Sequence, residues 1–211
     1  MSELPPPPPY PPPSSPPAHP APRRPSRAPV VALAVIGVAI IAALAVAVPL
    51  LATEDPVPRD LSAVRAYRDL PVAHTAEDVD YPQSPAVGGE HDPVWLDCGA
   101  YDEPVREENA VHDLEHGAVW ISYDPGLDDE DVELLAEALP QNGILAPYPD
   151  LHASVVVTVW GRQLDLLGAD DARLELFIRR YGGGVTAPEP FASCAGGTTD
   201  PGGEPGTGAE V

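Results

Sequence analysis

Val111-His112-Asp113-Leu114-Glu115-His116-Gly117 holds two of the six histidines of the chain, an acid between them and a glycine stop. Wound as a helix at about 100° per residue, His112 and His116 lie within roughly 40° of each other. Glu115 flanks them on the same side, while Ala110 and Leu114 point the opposite way, toward a core. Drawn as a strand, the same residues put Glu115 on the wrong face and the histidines roughly 13 Å apart, too far to share one ion. The stretch therefore reads as a short helix from Glu107 to His116, packed by its back and ended by Gly117, a residue type favoured just past a helix C-terminus.

The elements on either side follow from periodicity and breakers. Ala118 to Tyr123 is β-rich and stops at Asp124-Pro125-Gly126. Asp128 to Leu139 carries acids in its first turn and Val132, Leu135, Ala136 and Leu139 on one face, a helical pattern. Ile144 to Ala146 is a candidate short strand. Ser154 to Trp160 is a β-branched run, and Arg162 to Leu167 alternates enough to pair with it across Gly161. Asp170 to Tyr181 reads as a helix with Leu174, Phe177 and Ile178 inward. Before the motif, Tyr81 to Trp95 is a loop dictated by proline and glycine, with Trp95 large enough to anchor it. The expected fold is α+β: a small antiparallel sheet from about 118–123, 154–160 and 162–167, with three helices packed on it.

The chain has 211 residues, a prior for one folded domain plus appendages. About half of its 30 prolines fall before residue 30. Residues 1–29 read as a disordered, polyproline-II-like tail. Val30 to Ala52 contains no charged residue, and its length matches a hydrocarbon core of about 30 Å. Arg23, Arg24 and Arg27 precede this run, and Glu54 and Asp55 follow it. The expectation is a single-pass transmembrane helix in the cell membrane, N-terminus cytoplasmic, C-terminal domain outside. The lipid bilayer is then one partner. A cleaved signal peptide fits less well, because its apolar region usually spans only about 7–15 residues. Residues 53–73 read as a linker, 74–194 as the extracytoplasmic domain, and 195–211 as a disordered acidic tail. The net charge of −22 lies almost entirely beyond residue 52 and argues against nucleic acid as a partner.

The two cysteines, Cys98 and Cys194, stand near the ends of the folded part. In an oxidising exterior they read as a disulfide, which closes a loop of about 95 residues and contributes about 4–5 kcal/mol in the chain-entropy model. The alternative is one thiolate serving as a soft copper ligand.

Tyr81-Pro82-Gln83-Ser84-Pro85, Gly88-Gly89-Glu90-His91, Cys98-Gly99-Ala100-Tyr101, Val111 to Trp120, Val159 to Leu164 and Pro188-Glu189-Pro190 together resemble a bacterial family. It is the domain of unknown function 3105, found mostly in actinobacterial membrane-anchored proteins. The resemblance covers roughly His74 to Cys194, with Leu114-Glu115-His116-Gly117-Ala118-Val119 as its specific core. It supports His74, His91, His112, Glu115 and His116 as pattern positions, and it implies no activity.

Three functions fit this site. Non-catalytic binding of copper or zinc would use His112 and His116, with Glu115 and His91 completing or supporting the site and His74 as a further candidate ligand. A non-enzymatic envelope interaction or structural module would use the same histidines to hold loops together. A zinc-dependent hydrolase of the His-x-x-Glu-His type would use Glu115 as base, but it needs a distant third ligand on a second long helix. The balance is toward metal binding without catalysis. His19 and His152 are not nominated.

Overall fold

The computed structural model describes residues 60–203. The elements run β1 (Arg65–Ala66), β2 (Gly99–Ala100), α1 (Glu107–Glu115), β3 (Val119–Tyr123), α2 (Asp129–Ala138), β4 (Gly143–Pro147), β5 (Val155–Val159), β6 (Arg162–Leu166) and α3 (Arg173–Tyr181). They build one six-stranded sheet in the order β1-β6-β5-β3-β4-β2. The central strands β3, β4 and β5 are buried along their whole length, as the Val-rich run 155–159 requires of a strand covered on both faces.

Alternate residues of these strands feed two cores. Val119, Ile121, Tyr123, Val155, Val157 and Val159 face Leu135 of α2 and Leu174 and Phe177 of α3. Trp120, Ile144 and Ala146 face the other way, onto Ala110, Val111 and Leu114 of α1. The sheet is thus a floor between two helical layers, and the motif helix has one of them to itself. Trp120 is core, as expected, and Trp160 is buried at the β5–β6 turn. That turn needs Gly161, whose φ is +68° and whose Cβ would come within 3.0 Å of the Tyr67 carbonyl oxygen.

The α+β class holds, but the sheet is mixed where an antiparallel one is expected. β5 pairs antiparallel with β3 and β6, whereas β4 runs parallel to both β3 and β2. The reason is the connection: β3 reaches β4 through α2, and a helical crossover returns the chain to the start of a parallel neighbour. A hairpin-based reading of 154–167 sees only the antiparallel half.

Two expected boundaries also move. Within the stretch read as a linker, Arg65 and Ala66 pair with Arg162 and Gln163, and Leu61 and Val64 pack on the core. Within the stretch read as a disordered tail, Asp97 donates its backbone N–H to the Thr198 carbonyl and Arg106 donates its own to that of Pro201. Residues 195–203 therefore lie on the domain, because they meet backbone groups just before β2 and just before α1. The expected transmembrane run 30–52 lies outside the described residues; among those described, no helix is long and apolar enough to cross a membrane.

Cys98 and Cys194 form a disulfide with a Cα–Cα distance of 5.0 Å, so neither sulfur is a thiolate available to copper. A second tie, at α3, is ionic. Asp171 accepts backbone N–H bonds from Leu167 and Arg173, while the Arg173 guanidinium donates through Nε and Nη2 to both carboxylate oxygens. Their side chains are only 5 % and 2 % exposed. Removing one member of such a pair leaves a buried charge uncompensated. Arg173→Met is expected to lower unfolding stability by about 3–5 kcal/mol, read from urea denaturation.

Candidate metal centre

Helix α1 presents its polar face as its spacing requires: His112, Glu115 and the adjoining His116 are all buried, at 5 %, 4 % and 8 % exposure. Its first turn does a second job. Glu107 accepts a hydrogen bond from the Ala86 N–H at 3.0 Å, and Glu108 accepts one from the Val79 N–H at 2.8 Å. The start of the helix therefore anchors the loop segments that carry His74 and His91. Those two residues face each other across a backbone bridge, in which Thr75 N–H donates to the His91 carbonyl and His91 N–H donates to that of Ala73.

The result is a ring cluster. The imidazole centroids of His74, His91 and His112 lie 4.8, 4.9 and 5.0 Å apart. Their ligating nitrogens and a Glu115 carboxylate oxygen all fall within 4.8 Å of one another. His91 Nε2 is 2.9 Å from Glu115 Oε2, and His74 Nε2 is 3.6 Å from it. Zinc–nitrogen bonds of about 2.0–2.1 Å place neighbouring ligand atoms of a tetrahedral ion about 3.3–3.4 Å apart. The cluster has that scale.

Tautomers decide what the cluster can hold. His91 Nδ1 lies 2.7 Å from the Gly89 carbonyl, and His112 Nδ1 lies 2.6 Å from that of Asp92. A carbonyl oxygen only accepts, so each Nδ1 carries the proton and each neutral ring keeps its lone pair on Nε2. His91 Nε2 faces Glu115, and His112 Nε2 faces His116 at the edge of the cluster. The His91 lone pair then meets a Glu115 oxygen, and two acceptors at 2.9 Å repel unless a cation or a proton stands between them. Backbone carbonyls that orient the far nitrogen are also the usual support of metal-bound histidine.

The surroundings disfavour charging His112 and His116. Burial above all pushes the His112 imidazole down to about 3; the Asp92 carbonyl opposes this, and the rings of His116, His91 and His74 add to it. Burial also lowers His116, against the pull of Glu189. Trp95 packs on both His112 and His116, and Trp160 meets the His91 ring edge-on.

His116 stands one step aside. Its Nε2 is 3.1 Å from His112 Nε2 and 3.7 Å from a Glu189 carboxylate oxygen. Since His112 Nε2 is an acceptor, the His116 Nε2–H donates to it, and an ion bound to that nitrogen would take the place of this hydrogen bond. His116, expected as a principal ligand, is thus the neighbour of the four-membered cluster, because the end of the helix turns its ring toward the C-terminal segment. His74, the most distant expected candidate in the chain, lies in the cluster. Sequence reasoning did not reach Glu189, whose signal was its place in Pro188-Glu189-Pro190, nor the Asp92 and Gly89 carbonyls, which carry no side-chain signature. His152 pairs with Asp165, 3.0 Å away.

A small α+β domain carrying three imidazoles and one carboxylate around a common centre is the class these features define. The chain belongs to the family described as "Protein of unknown function (DUF3105)", whose model matches residues 73–196. No curated protein and no solved structure matches it.

Asp113, on the same helix, points away from the cluster. Its Oδ2 accepts from the Leu96 N–H at 3.0 Å, and burial holds its carboxyl well above the usual carboxylate range. The folded state therefore binds this proton more tightly than the unfolded chain. Its contribution to stability is complete below the unfolded value near 3.9 and is lost as pH rises through the folded one. Asp113→Asn is expected to remove this part of the decline, so that the difference in urea midpoint between variant and wild type grows from pH 4 toward neutrality in metal-free buffer.

Proposed function

We propose that this domain binds a divalent transition ion, Cu²⁺ or Zn²⁺, through Nε2 of His74, His91 and His112 and a Glu115 carboxylate oxygen, with His116 beside the site. One observation carries the reading: the Gly89 and Asp92 carbonyls hold His91 and His112 as Nδ1–H tautomers, leaving each Nε2 without a proton in a group whose ligand atoms, a Glu115 oxygen included, lie within 4.8 Å of one another. The donor set is imidazole and carboxylate without sulfur, which suits borderline divalent ions better than Cu⁺. Glu115 serves here as a ligand. A role as hydrolytic base would leave it free of the ion, whereas its oxygen lies among the ring nitrogens.

A second reading rests on the same contact. A proton shared between His91 Nε2 and Glu115 would close the 2.9 Å gap without metal. The domain would then be a structural or interaction module. Melting temperature during titration with Zn²⁺ or Cu²⁺ separates the two. At about a hundredfold excess over Kd, a specific site adds about 2.7 kcal/mol of stability. The gain is expected in wild type and absent in His91→Ala and His112→Ala. No metal-dependent shift in wild type gives the site to the structural reading.

The setting we propose is a single-pass membrane protein with this domain outside the cell, supported by the uncharged run 30–52 and the arginines before it. A tag appended to the C-terminus is expected to be cleaved by protease added to intact cells. Cleavage only after lysis would reverse the orientation.

A further inference from the structure

The four members of the cluster are unequal in exposure. The side chain of His91 is fully buried and that of Glu115 is 6 % exposed, whereas that of His74 is 49 % exposed. His112 is 5 % exposed as a residue. The His74 ring lies flat over only one of them: it stacks on that of His112 at 4.9 Å with 25° between planes, and it meets the His91 ring edge-on. The buried three are held by the helix and by backbone carbonyls. The described contacts of the His74 ring are with members of the cluster itself. Exposed acids flank this open side in sequence: Glu77 lies three residues beyond His74, and Glu90 adjoins His91.

Resting on the metal-binding reading, we infer that the site exchanges its ion through His74, taking it from water or from small nitrogen and oxygen chelates, so that the ion is cargo and not a sealed structural centre. Three fixed ligands hold a divalent ion while the fourth swings away. The position it vacates admits a water or a donor atom of an incoming chelate, and the ion leaves by ligand substitution without unfolding the helix. No electron is transferred; each protein–metal bond broken is replaced by one to the chelate. The net negative charge of the domain favours arrival of the free or weakly chelated cation over that of an anionic carrier.

The experiment uses the full chain loaded with Zn²⁺ and mixed in stopped flow with a chromophoric pyridylazo chelator. The expected release rate rises in proportion to chelator concentration, because the chelate attacks at the His74 face. Loading with free Zn²⁺ is expected to slow severalfold between low and physiological ionic strength, as screening removes the attraction. His74→Ala is expected to retain the ion with weaker affinity and to release it faster, with its metal-free melting temperature unchanged. A chain that takes up no ion sinks the binding reading and this inference with it. A chain that binds the ion but releases it at a slow rate independent of chelator overturns exchange alone, as does a His74→Ala variant whose release matches wild type.

Discussion

A nine-residue helix made largely of charged and polar side chains is buried on every side, and that burial organises the rest of the domain. From Glu108 to Glu115 each residue of α1 is shielded from solvent. Such a helix needs partners for most of the polar groups it carries, and among its buried side-chain atoms only Asp113 Oδ1 lacks one. The partners come from far along the chain. Glu107 takes the N–H of Ala86 in the proline loop and Glu108 that of Val79 just before it, the Glu115 carbonyl takes the N–H of Glu189, and the Arg106 N–H reaches the Pro201 carbonyl. The segment that follows α3 thus contacts both ends of the motif helix, and the disulfide at Cys194 pins it between those two contacts.

The close approach at the end of the helix depends on glycine. Gly117 has a φ of +79°, and a Cβ there would lie 2.6 Å from the Cα of Gly184. The glycine run 182–184 after α3 is where the returning segment presses on the motif. Asn142 completes the junction: its Oδ1 accepts from the Cys194 N–H, and its Nδ2 donates to the His116 carbonyl. The disulfide, the helix C-terminus and the β4 approach therefore meet at one amide side chain. His116 ends in this junction and not in the cluster for the same reason.

The chemistry of the cluster is the converse of the domain's surface. The chain carries a net charge of −22, yet this largely buried centre gathers three imidazoles around a single carboxylate. Burial disfavours charging His112 and His116. Trp95 and Trp160 wall off water from His112, His116 and His91, and the stiff strands beneath α1 keep the helix in register. Only the His74 side is left wet.

How much of this was legible in the sequence depends on the range of the interactions concerned. The motif helix, its histidine–glutamate face, the helices at 129–138 and 173–181, and the β5–β6 hairpin are local: 3.6- and 2-residue periods and glycine stops encode them within a few residues. The pairing of Cys98 with Cys194 was also legible, because only two cysteines exist to pair. What only the tertiary structure decided was long-range. The parallel register of β4 beside β3 depends on where a crossover helix docks, and no periodicity records that. That His74 and not His116 joins the cluster depends on which ring a loop 38 residues upstream of His112 brings within reach, since 112 less 74 is 38. The tautomers that leave Nε2 of His91 and His112 without a proton are set by the carbonyls of Gly89 and Asp92. Every residue has such a carbonyl, so the sequence marks none of them, and only the folded backbone determines where they point.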